Sequence, residues 1–213
     1  MTDLFKNQQP AKQRITAGTY FLSGFVLSCE NALLADLKTI IHQAPLRHMM
    51  TRMGFSMSAA MTNCGALGWV SDRKGYRYDA HDPLTGKPWP TMPASFLQLA
   101  NQAANEAGYV DFQPDACLIN QYKVGAGMSL HQDKNELDFG QPIVSVSLGI
   151  PATFRLGGAS RSDKTIKLPL THGDIVVCGG ESRLKFHGIL PLKANHHPAT
   201  GEFRINPTFR KAG

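Results

Sequence analysis

No apolar run in this sequence is long enough for a membrane helix; even Ile143 to Ile150 (IVSVSLGI) falls well short of the ~18 residues required. The N-terminal MTDLFKNQQPAKQR is polar, with no apolar stretch behind a basic start, so no secretory signal is expected. The four cysteines (Cys29, Cys64, Cys117, Cys178) are scattered and form no C-x-x-C pair. That excludes a disulfide framework or a thiolate zinc site as the organising principle, and points to a reducing cytoplasm. There is no internal repeat, low-complexity tract or long linker, so 213 residues are read as one domain, 1–213. Charged residues are only 18% against 42% hydrophobic, which suits a packed core and argues against disorder.

What charge there is leans one way. The net charge is +6 and the pI ≈ 9.2, a balance that suits phosphate contacts without requiring them. From about Cys29 to Gln43, Leu33, Leu34, Leu37, Ile40 and Ile41 recur at helical spacing. A second helix is expected from about Pro93 to Ala107, where Phe96, Leu97, Leu99, Ala100, Ala103 and Ala104 form an apolar stripe ended by Gly108. Between them, Met49 to Pro90 holds both tryptophans, Tyr76, Tyr78 and Met49, Met50, Met53, Met57 and Met61, punctuated by glycine and proline. It reads as short strands and turns. From Lys123 onward, IVSVSLGI, ATFRLGG, TIKLPL, GDIVVCGG and EFRINPTFR are short strand-like runs between turn signals, the pattern of a β-sandwich or barrel.

The sharpest local feature is Leu130-His131-Gln132-Asp133. On a strand His131 and Asp133 would share a face, where imidazole and carboxylate can take adjacent sites on one metal. His187 can supply a third ligand, giving the two-histidine, one-carboxylate set that leaves metal positions open for co-substrate and dioxygen. On its own H-x-D is equally a hydrogen-bonded pair at a strand end. The C-terminal run adds to it: Arg204, Asn206, Thr208 and Arg210 fall on one face, Ile205, Pro207 and Phe209 on the other. In Cys117–Tyr122, Asn120 and Tyr122 likewise share a face. Two guanidinium groups, an amide and a phenol are what a small dicarboxylate needs, although a strand with its polar face in water remains the alternative.

Together, Asn120-Gln121-Tyr122, His131-Gln132-Asp133, His187-Gly188 and Arg204…Arg210 resemble the motifs of the AlkB family of Fe(II)/2-oxoglutarate dioxygenases. Flanking text, including Phe112 to Asn120, Pro142 to Gly149 and Gly179 to Leu184, extends the resemblance from about Leu22 to Gly213. It implies an α+β, mainly β fold: a double-stranded β-helix (jelly-roll, cupin-like) core over about 115–213, N-terminal supporting helices, and a nucleotide-recognition lid over about 45–90. It implies iron(II) on His131, Asp133 and His187, with 2-oxoglutarate and dioxygen as co-substrates. Arg204 would grip the distal carboxylate of 2-oxoglutarate, with Asn120, Tyr122, Asn206 and Arg210 completing that pocket.

The lid reading has separate support. From Arg47 to Pro90 six basic residues (Arg47, Arg52, Arg73, Lys74, Arg77, Lys87) outnumber three acidic ones (Asp72, Asp79, Asp82), interleaved with aromatic rings that can stack on bases. Trp89, between two prolines, reads instead as core. By the resemblance Trp69 stacks on an extracted base opposite His131, Tyr76 and Arg161 face the nucleotide, and Met61 and Ser129 line the pocket; Arg77 and Tyr78 complete the expected substrate contacts. Asn135 departs from the family pattern, which has an aspartate facing the base there. An amide donates as well as accepts, so the base preference is left open. The implied activity is oxidative demethylation of alkylated bases such as 1-methyladenine and 3-methylcytosine, with decarboxylation of 2-oxoglutarate to succinate and CO2 and release of formaldehyde. The expected partner is single-stranded or locally opened DNA, with RNA as a further substrate, no membrane, and a monomeric enzyme. Alternatives are the same chemistry on tRNA, mRNA or protein, a non-enzymatic nucleic-acid binder, or a cupin-like sugar-binding module. His172, His196 and His197 are read as structural or surface residues.

Overall fold

The computed structural model describes residues 12–213. The chain runs β1 (Lys12–Thr16), β2 (Thr19–Leu22), α1 (Glu30–Gln43), β3 (Arg47–Met50), β4 (Ser56–Gly65), β5 (Gly68–Asp72), β6 (Gly75–Asp79), α2 (Ala94–Glu106), β7 (Ala116–Tyr122), β8 (Met128–His131), β9 (Ile143–Val146), β10 (Leu148–Gly149), β11 (Ala152–Leu156), β12 (Ile166–Leu170), β13 (Ile175–Cys178), β14 (His187–Ile189) and β15 (Arg204–Arg210). A nine-stranded sheet in the order β1-β2-β13-β9-β15-β7-β4-β3, with β10 beside β15, accompanies a four-stranded sheet ordered β12-β11-β14-β8. The pair β5–β6 forms a separate hairpin.

Side-chain parity explains the layers. On the major sheet, Cys117 and Ile119 of β7, Val144 and Val146 of β9, Ile175 and Val177 of β13, and Ile205 and Phe209 of β15 belong to one buried cluster with the helices. Leu33, Leu37 and Ile40 of α1 and Phe96, Leu99, Ala100, Ala103 and Ala104 of α2 supply the helical side. The spacing of these residues is what makes both segments amphipathic helices. Phe96 meets Phe209 edge to face, with ring centroids 5.6 Å apart. Alternate residues of the same strands, such as Leu118, Tyr122 and Val176, pack with Phe154, Leu156, Leu170 and Ile189 of the minor sheet in a second cluster. The inner face of the major sheet and the minor sheet therefore enclose the site.

β3 and β4 extend the major sheet, with Met61 opposite Asn120 in the β4–β7 register, and only β5–β6 stands apart. Trp89 is buried in the second cluster; its indole N–H donates to the Asp79 carbonyl at 3.0 Å and braces the hairpin. Gly68, which opens β5, has no room for a Cβ because the Trp89 ring lies against it. No helix among the described residues is long and apolar enough to cross a membrane.

Candidate active site

A cavity of about 610 Å³ opens between the two sheets. β8 ends at His131 and β14 begins at His187, and the two residues are register partners across the minor sheet. Their rings lie 4.4 Å apart. Asp133 is not on the strand, as the H-x-D spacing suggests: pairing stops at His131 and Asp133 follows in the loop. The loop nevertheless returns its carboxylate, so that Oδ1 is 3.7 Å from His131 Nε2 and Oδ2 is 3.6 Å from His187 Nε2. Ligand atoms of the three residues lie within 4.8 Å of one another.

Each imidazole is oriented from behind. His131 Nδ1 faces the Ser129 carbonyl at 2.9 Å and His187 Nδ1 faces the Lys185 carbonyl at 3.1 Å. A carbonyl only accepts, so Nδ1 carries a proton in both, which leaves each Nε2 as the nitrogen placed to bind a metal beside Asp133. Burial, and then the neighbouring His187, lower the His131 pKa below the usual imidazole value. Burial works to raise Asp133, but Arg210 and the two imidazoles outweigh it and hold the carboxyl well below the usual range. A neutral imidazole and an ionised carboxylate are the forms that bind a metal.

β15 crosses beneath this group. Arg204, Asn206, Thr208 and Arg210 all face the cavity, as do Asn120 and Tyr122 of β7, their register partners on the neighbouring strand being Asn206 and Arg204. Arg204 is 1% exposed. Its Nη2 donates to Ser147 Oγ at 3.0 Å and its guanidinium lies 5.4 Å from the Tyr122 ring centre. Nε and Nη1 of Arg204 have no hydrogen-bond partner, nor does Asn120 Oδ1. Burial pulls the Arg204 pKa down to about 10, which leaves it cationic at neutral pH. A buried cation with two unbonded donors aimed into a cavity fits a carboxylate. Arg210, at the other end of the strand, instead donates to Asp133 Oδ2 from Nη2 at 2.8 Å and from Nε at 3.2 Å.

The profile of the 2OG-Fe(II) oxygenase superfamily matches residues 18–210. The chain belongs to that superfamily. It is 56% identical to "Alpha-ketoglutarate-dependent dioxygenase AlkB" of Salmonella typhimurium, over 100% of this chain and 98% of that protein. It is also 32% identical to "DNA N(6)-methyladenine demethylase ALKBH1C" of Arabidopsis thaliana, over 68% of this chain and 38% of that protein. Among solved structures, "The structure of OsALKBH1" superposes with a TM-score of 0.82 at 26% identity, covering 94% of this chain and 100% of that one. As a 2OG-Fe(II) oxygenase the chain is a dioxygenase that uses iron(II) and 2-oxoglutarate with dioxygen. Two imidazoles and a carboxylate within reach of one point fit the iron, and the unbonded guanidinium of Arg204 fits the dicarboxylate.

The remaining residues divide by strand parity. Trp69 and Tyr76 line the cavity and stack at 5.6 Å and 12°. Met61, Ser129, Asn135 and Arg161 line it too. Trp69 Nε1 donates to Asn135 Oδ1 at 3.2 Å, and the Arg161 guanidinium lies over the Phe186 ring. Arg77 and Tyr78 are not among the residues that line it. Arg77 alternates with Tyr76 and Tyr78, so it points off the opposite face of the hairpin and is paired with Asp72 and Asp79. Tyr78 shares a face with Trp69, its register partner, but lies deeper, with its hydroxyl donating to Glu136 at 2.6 Å.

Sequence reasoning missed Ser145, Ser147, Glu136 and Arg183. The two serines alternate within IVSVS and could have been placed by parity, since Asn206 Nδ2 donates to Ser145 Oγ at 2.9 Å and Arg204 to Ser147. Nothing local marks Glu136 or Arg183. His172 is structural as expected, its Nδ1 accepting from the Gly149 N–H at 2.8 Å. His197 is half-buried rather than at the surface, stacked on His172 with ring centres 4.1 Å apart.

Proposed function

We propose that this dioxygenase demethylates alkylated bases such as 1-methyladenine and 3-methylcytosine, taking single-stranded or locally opened DNA in preference, and RNA as a second substrate. The observation that carries the reading is a single cavity lined both by a metal-binding triad and by a stacked pair of aromatic rings. His131, Asp133 and His187 hold iron. Arg204 binds the distal carboxylate of 2-oxoglutarate, with Asn120, Tyr122, Asn206 and Arg210 completing the pocket, and Arg210 also holds the metal-binding carboxylate. When bound, iron(II) and 2-oxoglutarate with dioxygen supply the oxidation that hydroxylates the methyl group, so that formaldehyde leaves and succinate and CO2 form.

The protein's own part is placement. Trp69, backed by Tyr76, offers a face to an unstacked base, and Asn135, whose Oδ1 already accepts from Trp69, keeps its amide N–H groups for the base edge. Met61 and Ser129 flank the base, and Arg161 sits at the phosphate side. A base must leave its stack to enter such a cavity, which favours single strands and weakened pairs. The β5–β6 hairpin is the recognition lid within 45–90, and residues 115–213 form the catalytic core of a single domain, 1–213. The enzyme acts as a monomer in the cytoplasm, where its four cysteines remain thiols.

Mass spectrometry of a panel of N-methylated oligonucleotides, single- and double-stranded DNA and RNA, with purified protein, iron(II), ascorbate and 2-oxoglutarate tests this. Methyl loss is expected first from single-stranded DNA carrying 1-methyladenine or 3-methylcytosine. Succinate formation without methyl loss from any nucleic acid would overturn the substrate assignment while leaving the dioxygenase intact.

A further inference from the structure

The aromatic hairpin touches the metal-bearing segment at two points. One is Trp69 Nε1 to Asn135 Oδ1 at 3.2 Å and the other is Tyr78 Oη to Glu136 Oε1 at 2.6 Å. Glu136 is 5% exposed and its carboxylate lies between two arginines, with Oε1 3.4 Å from Arg210 Nε and Oε2 3.2 Å from Arg183 Nη2. Both arginines turn back on residue 133. Arg210 Nη2 donates to Asp133 Oδ2 at 2.8 Å, and Arg183 Nη1 donates to the Asp133 carbonyl at 2.9 Å. Glu136 is not among the residues lining the cavity; a buried charge is costly unless paired, and Glu136 is paired with the two arginines that also hold residue 133.

We infer that Tyr78 and Glu136 are positioning residues that fix the Asp133 carboxylate through Arg210, and so tie the aromatic hairpin to the metal site. Glu136 sets the plane of the Arg210 guanidinium. Arg210 then holds Asp133 Oδ2, which lies 3.6 Å from His187 Nε2, and so fixes the carboxylate with Oδ1 turned to His131 Nε2, 3.7 Å away. The Tyr78 hydroxyl donates to Glu136 Oε1 at 2.6 Å, and burial raises its pKa so that it stays a donor. Trp69 is the cross-strand partner of Tyr78, so the ring offered to a base and the hydroxyl that reaches the metal shell ride on one rigid pair of strands. The hairpin's part in holding a base rests on the demethylase reading; the control of Asp133 does not.

Two measurements on Tyr78→Phe and Glu136→Gln test this. Manganese(II) affinity, titrated by paramagnetic resonance without nucleic acid, reads the metal shell; kcat and KM for a methylated oligonucleotide read the reaction. Tyr78→Phe keeps the ring and loses one hydrogen bond, so the manganese Kd should rise about three- to tenfold and kcat fall comparably, with KM unchanged within about twofold. Glu136→Gln should raise the Kd at least as much; if it does not fold, Tyr78→Phe alone decides. An unchanged manganese Kd in Tyr78→Phe overturns the inference, and a shift confined to KM would make Tyr78 a substrate contact. If the Kd shifts but wild-type protein demethylates no nucleic acid, the positioning role stands and the demethylase reading falls.

Discussion

Arg204 and Asn135 are the residues at which single atoms decide what the cavity accepts. Arg204 keeps two donors unbonded in a buried setting, so a carboxylate placed there gains charge-assisted bonds that water cannot replace. Truncating one side of a buried charged pair costs about 2–5 kcal/mol, and Arg204→Ala should therefore raise the 2-oxoglutarate KM by about thirtyfold or more; an unchanged KM would remove Arg204 from the co-substrate site. Asn135 differs from an aspartate in charge and donor count but not in shape. One altered hydrogen bond is worth roughly 0.5–1.5 kcal/mol, rising to ~3 with a charged partner, so Asn135→Asp should move the adenine-to-cytosine preference by a few-fold to about a hundredfold. Uncoupled 2-oxoglutarate turnover should not change. A constant preference would mean that Asn135 serves only to hold Trp69, whose indole it accepts.

Among the elements, β15 was the most legible. Its alternation places Arg204, Asn206, Thr208 and Arg210 in the cavity and Ile205 and Phe209 against the helices. The same rule misleads when a strand ends early: β8 stops at His131, and Asp133 reaches the site from a loop. It was also the rule that Arg77 needed, because a run of aromatic and basic residues says nothing about which of them share a face. Glu136 was invisible for a different reason. Its partners Tyr78, Arg183 and Arg210 come from distant parts of the chain, and no local spacing encodes such a network. The brace under the hairpin can be tested by Gly68→Ala, which pushes a methyl group into the Trp89 ring. Base binding should weaken, read as a higher oligonucleotide KM, while succinate formation without substrate persists.

For the molecule as a whole, two helices pack on the outer face of the major sheet, behind the site. Phe96 of α2 reaches β15 through Phe209. Phe96→Ala should cost about 3–5 kcal/mol, a drop in Tm of roughly 6–20 °C, without removing any group from the cavity. Recovery of activity well below the new Tm would show that the helices support the site rather than take part in it. The central claim is that one cavity holds metal, co-substrate and base together. The most direct measurement is an anaerobic crystal structure with manganese(II), 2-oxoglutarate and a methylated trinucleotide, with the metal located by anomalous scattering. The account predicts a peak bonded to His131 Nε2, Asp133 and His187 Nε2, a carboxylate on Arg204, and the methylated base between Trp69 and His131. Metal bound away from these three residues, or a base left outside the Trp69 wall, would contradict it.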